Sequence, residues 1–161
     1  MLLRHGVAED AGPATGHRDE PRALTPEGIA KMEAAARGMA ALRLVVDGVV
    51  TSPLVRCRQT AGIVGAALGA TWREDRRLRP GARLDAVEDV LIEHPDAEAL
   101  MLCGHQPDLS LVVAELTGGA HVEFRKGSLA LLEVTSARPG GGVLRALYPP
   151  AALRRIGEPA G

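Results

Sequence analysis

Aromatic side chains are nearly absent from this sequence, which has one Trp, one Tyr and one Phe among 161 residues. Leu, Val, Ile and Ala must therefore fill the interior, and a hydrophobic content of 46% is enough to build one compact domain. That content and a net charge of -1 exclude extensive disorder, which needs low hydrophobicity and high net charge. Because no repeat or linker divides the chain, we expect a single domain over residues 1–161.

Long apolar runs and an excess of basic charge are also missing. No run approaches the roughly 20 residues that span a bilayer, and Arg4 interrupts the apolar N-terminus before it resembles a signal peptide. A net charge of -1 provides no basic excess for coating nucleic acid. We therefore expect a cytoplasmic protein with neither a membrane nor a nucleic acid as its partner.

Cysteine is scarce, since Cys57 and Cys103 are the only two. They form no Cys-x-x-Cys pair, so neither a disulfide framework nor a structural zinc site is expected. A cysteine-dependent phosphatase would carry Arg six positions after its nucleophile, where this sequence has Ile63 and Leu109. Both cysteines are interpreted as small buried hydrophobic residues.

Strand and helix patterns alternate along most of the chain. Helices are predicted from apolar residues at three- and four-residue steps, and they cover residues 26–42, 54–68, 84–93 and 108–116. Strands are predicted at residues 1–3, 45–51, 71–74, 99–103, 128–135 and 143–147, the last two forming a hairpin. This order predicts an α/β fold, a three-layer sandwich with a mostly parallel mixed sheet, helices on both faces and an antiparallel C-terminal hairpin edge.

Two helix starts carry the same signature, a capping residue followed by Pro. Thr25-Pro26 begins the first helix, and Ser52-Pro53 is predicted to begin the second in the same way. Residues 7–24, which precede the first helix, are rich in Gly, Pro, Asp and Arg and predict an ordered loop or lid.

Basic and imidazole side chains follow three of the predicted strands. His5 follows the first strand with Arg4 beside it, Arg56 lies in the segment after the second, and His105 follows the strand ending at Cys103. Ligands of such sheets bind beyond the carboxyl ends of the strands. Each motif alone is also typical of an ordinary turn or a surface arginine, and it is their common placement that favours a site.

The chemistry of these side chains suits a phosphoryl group. Guanidinium groups match phosphate oxygens and stay charged, and a neutral imidazole is a competent nucleophile toward phosphorus. The helix beginning at Ser52-Pro53 is expected to add amide donors near Arg56. The set predicts covalent phosphoryl transfer with no metal and no cofactor.

Four segments of the sequence resemble the histidine phosphatase superfamily, and within it the small SixA-type phosphohistidine phosphatases. They are LLRHG at 2–6, LTPEG at 24–28, SPLVRCRQT at 52–60 and GHQP at 104–107, and the resemblance runs from residue 1 to about residue 135. It implies that His5 is the phosphorylated nucleophile and that Arg4, Arg56 and His105 complete the phosphate pocket. It also implies a substrate-binding role for Arg22.

Two features depart from the family pattern. Relatives usually have a few more residues before the Arg-His-Gly motif, so we expect a short first strand or a native start upstream of Met1. The acid that donates a proton in many relatives has no clear match here, as it does not in SixA-type members. The candidates are Glu74, Asp75, Asp85 and Glu88. A phosphorylated imidazole tolerates this absence, because imidazole is a better leaving group than an alkoxide and depends less on a general acid.

The leading hypothesis is a cofactor-independent phosphatase that acts through phospho-His5 on a phosphohistidine of a protein, such as a histidine-phosphotransfer domain. One alternative is hydrolysis of a small phosphate ester, and another is a phosphate-binding module without turnover. An arginine-rich run between residues 73 and 83 predicts either a solvated loop or a docking surface for an acidic phosphoprotein.

Overall fold

The computed structural model describes residues 1–158, so the end of the predicted 1–161 domain lies outside the described residues. Residues 1–158 contain six strands: β1 (Leu2–Arg4), β2 (Gly48–Thr51), β3 (Trp72–Glu74), β4 (Leu100–Gly104), β5 (Leu129–Val134) and β6 (Gly142–Tyr148). Five α-helices accompany them: α1 (Pro26–Ala41), α2 (Val55–Leu68), α3 (Leu84–Ile92), α4 (Asp108–Thr117) and α5 (Pro150–Ile156). Short 3-10 helices cover Pro13–Thr15 and Arg76–Leu78.

The strands form one sheet in the order β3-β2-β4-β1-β5-β6. The pairs β2–β3, β2–β4 and β1–β4 are parallel, whereas β5 is antiparallel to both β1 and β6. The sheet is therefore mixed and mostly parallel, with an antiparallel hairpin at one edge. This arrangement confirms the fold predicted from the alternation of strands and helices.

Two apolar clusters cover the two faces of the sheet. Leu2 of β1 packs with α3 and α4, including Val87 and Val112, whereas the next residue, Leu3, packs with α1, α2 and α5. Successive residues of a strand point to opposite faces, so adjacent leucines serve both layers. The β5–β6 hairpin and the three-layer arrangement thus follow from aliphatic packing, with Phe124 as the one fully buried aromatic side chain of residues 1–158.

The largest differences from the sequence-based predictions are one strand boundary and one additional helix. The strand predicted from residue 45 begins only at Gly48, because Val45 is exposed and the Asp47 carboxylate accepts a hydrogen bond from the Ala99 amide at 2.7 Å. Helix α5 was not predicted at all. It docks on α1 through the fully buried Leu153, and Gly38 allows this close approach because any side chain there would meet the Leu153 carbonyl.

Candidate active site

The carboxyl ends of β1, β2 and β4 lie side by side at one edge of the sheet. His5 directly follows β1, His105 directly follows β4, and Ser52 directly follows β2, while Arg56 lies in the first turn of α2. All four side chains are buried, with 6% or less of each residue exposed. The structure therefore brings together the pocket residues that the sequence places far apart, in a site below the molecular surface.

The imidazole of His5 is oriented by a backbone hydrogen bond. Its Nδ1 lies 2.8 Å from the carbonyl oxygen of Gly6, which only accepts, so Nδ1 carries the proton and Nε2 keeps its lone pair. Burial lowers the pKa of His5 to about 3, and the nearby cations Arg56 and Arg4 act in the same direction. The ring is therefore neutral at physiological pH, as a nucleophile must be.

The guanidinium of Arg56 lies between the two imidazoles. Its Nε donates to Nε2 of His5 at 3.2 Å, and its Nη2 lies 3.3 Å from Nδ1 of His105. The centroids of the two imidazole rings are 5.4 Å apart. An unprotonated nitrogen and a fixed cation thus lie in direct contact, an arrangement that suits attack on a phosphoryl group.

His105 is held by a serine that the sequence suggested for another role. The Nε2 atom of His105 lies 2.8 Å from Oγ of Ser52, which is fully buried. The prediction that Ser52-Pro53 caps the second helix is wrong, because α2 begins at Val55 with Leu54 as its capping residue. Ser52 instead directly follows β2, and its hydroxyl contacts His105 at the end of the neighbouring strand β4, a contact that no sequence motif indicates.

Two of the amide donors expected at the start of α2 already have acceptors. The Val55 amide donates to the carbonyl of Glu20, and the Cys57 amide donates to the carbonyl of Leu54. These bonds fix the beginning of the helix against the loop that precedes α1. The amides of Val55 and Cys57 are therefore not available to a ligand.

Arg4 carries a buried donor that has no acceptor within residues 1–158. Its Nη1 donates to the carbonyl of Phe124 at 2.6 Å, whereas its Nε is buried and unpaired. Burial lowers the pKa of Arg4, and Glu123 partly opposes the effect. A buried unsatisfied donor on a cationic group is costly, and an oxyanion ligand would supply the acceptor that it lacks.

Thr60 ties the nucleophile segment to α2 and was not singled out in the sequence. Its Oγ1 accepts a hydrogen bond from the Gly6 amide at 3.1 Å and donates to the carbonyl of Arg56 at 2.7 Å. One buried hydroxyl therefore connects the residue after His5 with the helix turn that bears Arg56. Its place at the end of the SPLVRCRQT segment is the sequence signal that could have identified it.

Arg22 lies on the β1–α1 loop (residues 5–25) rather than among the imidazoles. Its Nη1 donates to Oδ1 of Asp19 at 2.8 Å, and its Nε donates to the carbonyl of Glu9. Asp19 in turn contacts Arg56 through Oδ2 at 2.8 Å. A substrate-binding role for Arg22 remains a prediction. In the described contacts, Arg22 is connected to the pocket through Asp19, which contacts Arg56.

The four candidate proton donors do not contact the pocket side chains within residues 1–158. They are Glu74, Asp75, Asp85 and Glu88. Within residues 1–158 none of them forms a hydrogen bond or ion pair with a pocket side chain. Glu74 pairs with Arg58 at 3.2 Å, Asp75 pairs with Arg77 at 2.5 Å, and the other two lie on α3. No carboxyl group of this set is thus in contact with His5, Arg56 or His105 in the described residues.

The arginine-rich run is largely neutralised by neighbouring acids. Its members are Arg73, Arg76, Arg77, Arg79 and Arg83. Glu93 pairs with two of them, at 3.3 and 2.7 Å, and Glu20 pairs with a third at 2.6 Å. This local compensation weakens the positive field that a docking surface for an acidic protein would need, and it favours the interpretation as a solvated loop.

Both cysteines are fully buried thiols, as the sequence indicated. The Sγ atom of Cys57 lies 3.6 Å from Nε2 of His105, and burial raises the pKa of this thiol above its usual range. Among residues 1–158 no cluster of His, Cys, Asp or Glu is arranged to hold a metal ion. No helix of the same stretch has the length and apolar character needed to cross a membrane.

Comparison with known proteins agrees with the geometry. The family model of the histidine phosphatase superfamily (branch 1) matches residues 1–80. An uncharacterised protein of Picosynechococcus sp. is 36% identical over 144 residues, which cover 85% of this chain and 86% of that protein. The resemblance carried by the four sequence motifs is confirmed.

Solved structures repeat the same fold. A proposed phosphohistidine phosphatase SixA from Agrobacterium tumefaciens has a TM-score of 0.77 at 26% identity, over 91% of this chain and 94% of that one. The protein histidine phosphatase SixA in complex with tungstate has a TM-score of 0.81 at 24% identity, over 94% and 97% of the two chains. On the strength of the matched family model and the 36% identical relative, the chain belongs to the histidine phosphatase superfamily.

Proposed function

We propose that this chain, folded as one domain over residues 1–161, is a phosphatase that transfers a phosphoryl group to His5 and then to water. The observation that carries the proposal is the orientation of His5, whose Nδ1 is fixed on the Gly6 carbonyl while Nε2 points at the guanidinium of Arg56. Membership of the histidine phosphatase superfamily supports the same activity.

The proposed reaction has two displacements at phosphorus. In the first, Nε2 of His5 forms a bond to phosphorus while the bond to the leaving group breaks, and the leaving group takes the electron pair. In the second, water attacks phosphorus, the phosphorus–Nε2 bond breaks, and its electron pair returns to the imidazole. Arg4 and Arg56 are positioned to offset negative charge on the phosphoryl oxygens in both steps, and His105 completes the pocket.

We further propose that the substrate is a phosphohistidine of a protein. The four candidate acids form no contact with the pocket, so a leaving group that needs little protonation is favoured, and imidazole is such a group. The likeness to a proposed phosphohistidine phosphatase from Agrobacterium tumefaciens, at 26% identity, supports the same choice.

A panel of phosphorylated substrates tests this substrate class. We expect kcat/KM for a phosphorylated histidine-phosphotransfer domain to exceed that for sugar and alkyl phosphates, with phenyl phosphate between them. The control for background hydrolysis is the His5→Asn variant, in which Asn provides a non-titrating side chain of similar size. Preference for a sugar phosphate would support the alternative of a small-molecule phosphomonoesterase. Binding of phosphate without turnover would instead support a non-catalytic phosphate-binding module.

A further inference from the structure

The guanidinium of Arg56 is held along two separate edges. Along its outer edge, Nη1 donates to the backbone carbonyl of Asp19 at 2.9 Å and Nη2 donates to Oδ2 of the same residue at 2.8 Å. Along its inner edge, Nε and the second hydrogen of Nη2 face His5 and His105. Asp19 therefore occupies the edge of Arg56 that points away from the imidazoles.

Asp19 is itself fixed by the β1–α1 loop. Its Oδ1 accepts from Nη1 of Arg22 at 2.8 Å, so each carboxylate oxygen binds a different arginine. Burial opposes ionisation of Asp19, but hydrogen bonds from Arg56 and Arg22 outweigh it and hold the pKa of this carboxyl below its usual value. The carboxylate is therefore charged at neutral pH, and both of its bonds are charge-assisted.

We propose that Asp19 is a positioning residue that holds Arg56 so that its inner edge faces His5, His105 and the phosphoryl oxygens. The inference rests on the proposed function and extends it to a loop residue that touches neither imidazole. A guanidinium fork that is clamped along one edge cannot rotate about its own long axis, so its other edge stays aligned for a planar, bidentate contact.

A competing arrangement makes the opposite prediction. If the carboxylate of Asp19 occupied the place of the phosphoryl oxygens, its removal would free Arg56 and tighten the binding of oxyanions. Positioning predicts looser binding, because the guanidinium would lose the bonds that orient it. The sign of the change in tungstate affinity therefore distinguishes a positioning carboxylate from one that competes with the ligand.

The experiment compares Asp19→Ala with Glu20→Ala by measuring tungstate binding calorimetrically and kcat/KM on phenyl phosphate. Glu20 is the matched control, since it is the adjacent acid on the same loop and pairs with Arg79 instead of Arg56. We expect Asp19→Ala to weaken tungstate binding about tenfold or more and to lower kcat/KM similarly, the loss typical of a charge-assisted hydrogen bond. Glu20→Ala should change tungstate affinity and kcat/KM by less than about twofold. The melting temperatures of both variants should stay close to that of the wild type.

A double-variant cycle separates positioning through Arg56 from a general effect on the loop. In an Arg56→Ala background the added Asp19→Ala change should have no further effect on tungstate binding. Equal losses in Asp19→Ala and Glu20→Ala, additive losses in the double variant, or tighter tungstate binding by Asp19→Ala would each overturn the inference. Failure of the wild type to bind tungstate or turn over phenyl phosphate would instead contradict the proposed function.

Discussion

Nε of Arg56 donates a hydrogen bond to Nε2 of His5 across 3.2 Å, and both side chains are buried. The bond identifies Nε2 as the unprotonated nitrogen of the ring, because Nδ1 carries the proton that it donates to the Gly6 carbonyl. We expect the bond to break when a phosphoryl group enters, since the oxygens of that group then become the acceptors for Arg56. The proposed nucleophile, His5, and the cation proposed to stabilise the phosphoryl group, Arg56, are thus in direct contact.

The buried neutral imidazole of His5 makes stability depend on pH. Burial lowers the pKa of His5 to about 3, against about 6.5 in an unfolded chain. Between these values the unfolded state binds the additional proton, so stability rises with pH and is lost as pH falls below about 6.5. From pH 7 to pH 5 we expect the wild type to lose about 1–2 kcal/mol more than His5→Asn.

Urea unfolding at pH 7 and pH 5 measures this difference. The other histidines are common to the wild type and His5→Asn, so their contributions cancel in the comparison. An equal loss of stability in the two proteins would show that His5 titrates normally in the folded state. That result would contradict the proposal that burial keeps the imidazole of His5 neutral.

Ser52 is expected to support activity through His105 alone. Ser52→Ala removes the 2.8 Å contact to Nε2 of His105, so that this nitrogen loses its hydroxyl partner. A lost hydrogen bond of about 1 kcal/mol predicts a drop of about fivefold in kcat/KM. Thr117→Ala, which removes a hydroxyl bonded to the Val113 carbonyl in α4, is the control and should retain activity. Wild-type rates in Ser52→Ala would show that His105 needs no such support.

Because none of the four candidate acids contacts the pocket, the rate of hydrolysis should depend steeply on the basicity of the leaving group. The variants are Glu74→Gln, Asp75→Asn, Asp85→Asn and Glu88→Gln. Each should change the rate on phosphohistidine by less than about twofold, and alkyl phosphates should be poor substrates of all of them. Because Asp75 also pairs with Arg77, the melting temperature of its variant is measured as a control for stability. A selective loss of about 10²–10⁴-fold on alkyl phosphates in one variant would identify that acid as a proton donor.

The placement of His5 and His105 could be predicted from the sequence because each follows a short apolar strand. Adjacent parallel strands end at the same edge, so strand order alone brings the two imidazoles together. The role of Ser52 could not be predicted in this way. A Ser-Pro pair after a strand fits a helix cap equally well, and only the proximity of β2 and β4 brings its hydroxyl to His105.

The contacts of the β1–α1 loop and the position of helix α5 could also not be predicted from the sequence. The loop has no hydrophobic period, so nothing in it indicates that Asp19 meets Arg56, which lies 37 positions later. Helix α5 is short, and its position depends on one buried side chain, Leu153, and on the absence of a side chain at Gly38. Such pairings depend on tertiary shape, which a periodic pattern does not encode.

Trapping of the phosphoenzyme tests directly whether His5 receives the phosphoryl group. Wild-type protein and His5→Asn are mixed with ³²P-labelled phenyl phosphate, quenched in alkali within milliseconds, digested and analysed by mass spectrometry. We predict an alkali-stable, acid-labile phosphoryl group on Nε2 of His5 in the wild type, with no label and no turnover in His5→Asn. Turnover by His5→Asn, or a label on any other residue, would contradict the account.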